Sequence, residues 1–256
     1  MTAVWDAMFP TLRLEGAGAR GFLQGQTSAD LQAAPTGALI QSCWLTATGR
    51  VQALLEVRLD ADGADVLLLA GVAETVAQGF DRVIFPADRV RLTTTRMQRR
   101  RQALSAGSVG EWLEGDAMPT LDAADLERWQ LERGWPGSGE LNGDTNPYEL
   151  GLTSWVSLSK GCYLGQETMA KLASRDGVKQ QLRFWSSPDP VNVGDRLSHG
   201  EDRAGSITSA INDGMQGWIG LALVRRSMLD ETSLSGPDGQ TLTLRRPSGV
   251  EDPPQT

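Results

Sequence analysis

The chain has 256 residues, 40% hydrophobic and 22% charged, a balance that excludes a disordered, collagenous or disulfide-stapled protein and leaves room for two or three compact units. Lys and Arg total 24 against 32 Asp and Glu, so the net charge is −8; this argues against direct nucleic-acid binding, because such surfaces neutralise phosphates with many cations. No apolar run approaches the ~20 residues of a membrane helix, and Met1 to Pro10 carries Asp6 and no Lys or Arg, so neither membrane association nor an export signal is expected.

Thr11 to Glu15 reads as a short strand, and Ala19, Phe22, Leu23 and Gln26 then recur at the spacing of one helix face. From Gly37 the period becomes two: Leu39, Cys43 and Leu45 alternate with Ile40 and Trp44, and Val51, Ala53, Leu55, Val57 and Leu59 share a face. Thr46-Ala47-Thr48-Gly49 supplies the reversal of a hairpin, with Gly49 free to take a positive φ. Asp65 to Ala70 predicts another strand, Val72, Val76, Phe80 and Val83 a helix, and Val90 to Thr94 a last strand. Apart from one additional strand, this order is the layout of a ferredoxin-like α+β domain. Arg96, Arg99, Arg100 and Arg101 follow, a basic cluster that reads as a solvated linker or as an anion-attracting rim.

Between Arg101 and Tyr148, Gly and Pro break the pattern and leave one helix from about Asp122 to Arg128, which predicts a reduced second unit with long loops. Beyond Gly177, Gln181 to Trp185, Ala204 to Ile211, Trp218 to Val224 and Thr241 to Arg245 alternate between turns, the signature of a small β-barrel or sandwich. The division expected is therefore 1–100, 101–176 and 177–256, with the tail from Glu251 to Thr256 frayed.

Chemistry concentrates in Lys160-Gly161-Cys162-Tyr163-Leu164-Gly165-Gln166-Glu167, a loop entering a helix. A helix starting near Gly165 places Cys162 ahead of its positive end with Lys160 two residues away. Both favour a thiolate, and so a nucleophile, redox group or metal ligand; the other reading is a small buried apolar residue. Two cysteines, Cys43 and Cys162, far apart in the chain, fit a reducing compartment, the cytoplasm, better than a disulfide framework. The one histidine, His199, lies in a polar turn, so no serine-hydrolase triad and no protein-held metal are expected. Trp44 or Trp155 offers a platform for a heteroaromatic ligand, and Gln24, Gln26 and Gln166 offer amides for a ring edge.

Lys160 to Glu167 resembles the signature Lys-Gly-Cys-Phe/Tyr-x-Gly-Gln-Glu of the YgfZ-type folate-binding proteins, relatives of the glycine-cleavage T-protein. Phe22 to Gln26 with Asp30, Gly49-Arg50, Gly134-Trp135-Pro136, Pro147 to Leu152 (with Glu149) and Gly205 to Ser209 resemble further blocks of that family in the same order. The resemblance implies α+β units and a C-terminal β-barrel around a central channel that holds tetrahydrofolate or a one-carbon derivative. It implies support of iron–sulfur cluster assembly or repair, with iron–sulfur client or assembly proteins as partners and a tRNA-modifying enzyme among the clients. It places Cys162 as the functional thiol and Lys160, Gly161, Tyr163, Gly165, Gln166 and Glu167 along the folate surface, joined by Gln24, Gln26, Trp44 and Glu149. The chain departs from the pattern at Ala53 and Leu54, where the T-protein has paired aspartates, and at Lys171 and Gln130, where many members have Arg. Leu54 handles no proton, which counts against aminomethyl transfer; a protein-docking adaptor without folate is the third alternative.

Overall fold

The computed structural model describes residues 3–105, 108–214 and 217–254. They form two compact units, one made of the chain up to Asp122 together with Ser154–Ala170, the other of Ala123–Thr153 and the chain from Lys171. The three-part division expected from sequence differs from this one: the signature segment packs within the first unit, and no separate middle unit carries it.

The first unit contains β1 (Val4–Glu15), α1 (Ala19–Gln26), β2 (Leu39–Leu45), β3 (Val51–Leu59), β4 (Gly63–Ala70), α2 (Ala73–Asp81), β5 (Arg91–Ala103) and β6 (Glu111–Leu113). The strands form one sheet in the order β2-β3-β4-β1-β5-β6, with antiparallel neighbours throughout. Period two selects the face that the helices cover. Leu12 and Leu14 of β1, Ala53, Leu55 and Val57 of β3 and Val66 and Leu68 of β4 meet Phe22 and Leu23 of α1 and Val76 and Phe80 of α2. Phe22 and Phe80 touch edge to face at 5.7 Å.

The arginine cluster is neither a linker nor a rim. It lies inside β5, more than twice as long as its apolar start suggested, and each arginine has a carboxylate partner: Arg96–Asp65 at 2.9 Å, Arg99–Asp6 at 2.6 Å, Arg100–Glu56 at 2.8 Å and Arg101–Glu111 at 2.6 Å. Arg100 and Glu56 are each 1% exposed. The pleat sends successive arginines to opposite faces, and strands β1, β3, β4 and β6 supply the acids.

The second unit contains α3 (Ala123–Arg133) and a closed barrel of β7 (Gln180–Ser187), β8 (Arg196–His199), β9 (Asp202–Asn212), β10 (Trp218–Arg225), β11 (Ser233–Ser235) and β12 (Thr241–Arg245), in the order β10-β7-β12-β11-β8-β9. The barrel expected from the turn spacing is present. Trp185, Ala222, Val224, Leu242 and Leu244 fill its interior, while Leu182, Phe184, Leu221 and Leu223 point outward onto Leu131 of α3 and Val250. The tail does not fray where it is described: Glu251 donates its N–H to the Gly151 carbonyl at 3.0 Å and accepts from Gln181 Nε2 at 2.7 Å, whereas Gln255 and Thr256 lie outside the described residues. Between the two units in sequence runs α4 (Gln166–Ser174), which begins in the first and ends in the second.

Candidate functional site

Thr27, Ser28 and Ser42 are completely buried, so their polar groups need internal partners. Ser28 Oγ donates to the Trp155 carbonyl at 2.7 Å and accepts from the Cys43 N–H at 2.8 Å; Ser42 Oγ accepts from the Ala29 N–H at 2.9 Å. This polar knot ties the loop after α1 to β2 and to the segment that leads into the signature. Two backbone bonds extend the tie, Ser157 N–H to the Ser28 carbonyl at 2.9 Å and Leu164 N–H to the Gly25 carbonyl at 3.1 Å.

Lys160 enters the knot. Its ammonium, 6% exposed with the rest of the residue, donates to the carbonyls of Thr27 at 2.6 Å and Ala29 at 2.7 Å and lies 4.8 Å from the centre of the buried Tyr163 ring. Desolvation pulls the Lys160 pKa down to about 8, with the negative charge of Asp30 opposing it. Asp30 is itself held below the ordinary carboxylate range, chiefly by the hydrogen bond from Gln24. The electropositive setting expected around Cys162 is thereby qualified, since the Lys160 cation is engaged by two backbone carbonyls.

Gly161 and Cys162 form the outward edge of the loop, and both are exposed. A Cβ on Gly161 would meet nothing, so this glycine serves no close approach. Gly165 does: at φ +86° a Cβ there would sit 2.8 Å from the Thr46 carbonyl oxygen and 3.2 Å from Gly49 Cα. Gly49, at φ +74°, in turn faces Thr168 and Met169 of α4, so two glycines seat the start of α4 on the β2–β3 turn. Gln166 Nε2 donates to the Lys160 carbonyl at 3.2 Å and closes the loop on itself, while Glu167 is exposed in the first turn of α4. The helix begins at Gln166, four residues beyond Cys162 and next to the start near Gly165 expected from the sequence. Cys162 is an exposed free thiol; Cys43 is completely buried, and burial pushes its pKa up to about 12.

Several expected ligand groups have other work. Trp44 is a core residue, 7% exposed, edge-on to Phe80 at 5.7 Å and packed against Gly79, so it offers no open platform. Trp155 is buried as well. Gln24 accepts from the Leu31 N–H at 2.7 Å and donates to Asp30 at 3.0 Å, which shapes the loop after α1. Glu149, in the second unit, accepts from the Asn146 N–H at 3.0 Å while Asn146 Oδ1 accepts from Tyr148 and Glu149, a reciprocal cap whose Asn-x-x-Glu spacing was readable in the sequence. Gln26 is half-buried and makes no side-chain hydrogen bond among the described residues. Ala53 and Leu54, where the resemblance leads one to expect aspartates, are both completely buried, Leu54 opposite Cys43 in the β2–β3 register. Ser28 and Ser42 went unnoticed in the sequence, because a buried serine looks like an exposed one until its strand is placed. Among the described residues no group of three or more His, Cys, Asp or Glu is arranged to hold a metal ion, and no helix is long and apolar enough to cross a membrane.

The fold defines the class. The chain superposes over 100% of its length, and over 89% of the other chain, on the crystal structure of glycine cleavage system aminomethyltransferase T from Bartonella henselae, with a TM-score of 0.75 and 16% identity. It has the aminomethyltransferase T fold. In sequence, it is 35% identical over 107 residues to a chloroplastic "putative transferase" of Arabidopsis thaliana; the match covers 40% of this chain and 24% of that protein, about a quarter of its length. No protein-family profile matches the chain.

Proposed function

We propose that this chain is a cytoplasmic tetrahydrofolate-binding protein of the YgfZ type that supports iron–sulfur cluster assembly or repair, with Cys162 as its functional thiol. The observation that carries the reading is the signature loop, knotted to the end of α1 and seated on the Gly49 turn, within a T-protein fold. The strand order β3-β4-β1-β5 with α1 and α2 on one face supports a ferredoxin-like first unit. A central channel and iron–sulfur partners enter from the resemblance and are part of the proposal.

Two side-chain amides keep hydrogen-bonding capacity that a pterin edge could use. Gln26 keeps its whole amide, and Gln166, with its Nε2 spent on Lys160, keeps Oε1 as an acceptor. We assign these two to the heterocycle; Trp44, Gln24 and Glu149, already committed elsewhere, are not assigned to it. Bound tetrahydrofolate supplies a one-carbon carrier. The chain supplies orientation through the Lys160 knot and a solvent-facing thiol at Cys162. Aminomethyl transfer, the second reading, is favoured by the solved structure of like fold and disfavoured by Leu54, which places hydrocarbon where an acid is needed.

Titration with tetrahydrofolate, followed by tryptophan fluorescence, is expected to give a saturable change that Gln166→Leu weakens; no saturation at high micromolar ligand would refute folate binding. Cys162→Ser is expected to fold as the parent and to lower the activity of an iron–sulfur enzyme in cells, and undiminished activity would remove the thiol from the function. Formation of methylene-tetrahydrofolate from an aminomethyl donor would establish the second reading instead.

A further inference from the structure

Arg183 is a buried cation that neither the signature loop nor the barrel core consumes. On β7 it pairs in register with Ala222 of β10, and Trp185, two positions along, belongs with Ala222, Val224 and Leu244 to the barrel interior. Period two therefore turns Arg183 inward. The residue is 8% exposed, and both of its hydrogen bonds come from Nη1, to Gln181 Oε1 at 3.1 Å and to the Leu182 carbonyl at 2.9 Å. Nε and Nη2 donate to no acceptor among the described residues, no carboxylate among those residues comes within ion-pair distance, and neither nitrogen is sealed from solvent. Such a group is costly to bury without a counter-charge. Burial and the neighbouring Arg246 both lower its pKa, with Asp252 and Asp230 opposing them.

The guanidinium opens on a cavity of about 610 Å³ at one mouth of the barrel, where β7 begins and β10 and β12 end. Val178, Leu229, Leu244 and Pro253 give it apolar walls. Its other arginines are spoken for: Arg226 pairs with Asp176, Arg246 with Asp252 at 2.9 Å and Arg245 with Glu132 at 3.6 Å. Asp230 and Glu231 also line it without bonding Arg183.

We propose that this barrel mouth is a binding site for a small organic monocarboxylate, held two-pronged by the Nε and Nη2 edge of Arg183 with its apolar body against Val178, Leu229 and Leu244. A planar fork with two parallel N–H groups matches a carboxylate. Asp230 and Glu231 repel a second negative charge, which selects against phosphate and polycarboxylates. The volume suits a small molecule, and barrel mouths are common places for one. The site lies wholly in the second unit and stands independently of the folate reading.

Benzoate is the probe, added to the full-length, nitrogen-15-labelled chain while the backbone amide resonances of Val178, Leu229 and Leu244, which line the cavity, are followed. The expected result is a saturable shift in the millimolar range or below, with phosphate and citrate at least about tenfold weaker. Arg183→Lys keeps the charge, loses the fork and is expected to weaken benzoate at least about tenfold. Arg183→Met is expected to abolish the response and, by removing an unpaired buried charge, to raise the melting midpoint. No saturable shift up to about 20 mM benzoate, an undiminished response in Arg183→Lys, or phosphate binding as tightly as benzoate would overturn the proposal.

Discussion

Replacing Arg100 by Met tests how dry the arginine-rich strand is. Arg100 Nε and Nη2 bond both oxygens of Glu56, at 2.8 and 2.9 Å, and Nη1 bonds Gln102 Oε1 at 2.9 Å. The substitution removes these and leaves Glu56, itself 1% exposed, with Trp112 Nε1 at 2.6 Å as its remaining side-chain donor among the described residues. An uncompensated buried carboxylate costs about 3–5 kcal/mol, a large share of the ~5–15 kcal/mol that holds a typical domain together. With a urea slope of about 2 kcal/mol per molar, the unfolding midpoint is expected to fall by roughly 2 M. Tryptophan fluorescence reports directly, because the Arg100 guanidinium lies 6.0 Å from the Trp5 ring centre and Trp112 bonds the same carboxylate. Adding Glu56→Leu to Arg100→Met removes the stranded charge and is expected to recover most of the loss, a non-additivity that a surface pair would not produce. A single-variant cost below about 1 kcal/mol, the range of solvated pairs, would refute the reasoning.

Lys160 gives a pH dependence of defined sign: its folded pKa of about 8 lies below the ordinary 10.5, so the unfolded chain holds more protons between these values, and the urea midpoint is expected to rise with pH across that window in the parent but not through this group in Lys160→Met. An identical pH profile in the two proteins would contradict it. Ellman's reagent is expected to find one reactive thiol, Cys162, in the folded protein and a second, Cys43, only after denaturation; two rapid thiols in the native state would contradict the burial of Cys43.

The apolar pattern led to most of the observed elements, although β1 starts at Val4, seven residues before the strand expected from Thr11. Thr241 to Arg245 is β12 to the residue, Gly49 turns the hairpin with a positive φ, and the alternating runs after Gly177 close into a barrel. Where the alternation was carried by charge it could not be read. β5 continues through Arg96 to Arg101 because Asp6, Glu56, Asp65 and Glu111 neutralise it, and three of those acids lie more than thirty residues away in the chain. The signature announced itself by composition, yet the destination of Lys160 did not. Its acceptors are the carbonyls of Thr27 and Ala29, and a backbone oxygen leaves no mark in a sequence. Arg183 was equally silent, since the inward turn of β7 becomes visible only when the barrel closes.

The return of Ser154–Ala170 to the first unit has a consequence for synthesis on the ribosome. Lys160 meets partners 133 and 131 positions earlier, so the polar knot at Thr27 to Ala29 waits unfinished while the 48 residues from Ala123 to Ala170 are translated. At cellular elongation rates that is about 2 to 10 seconds. Until then water must satisfy the serines and carbonyls that Lys160 and Trp155 later seal, and a chain cut after Asp122 would lack that closure permanently.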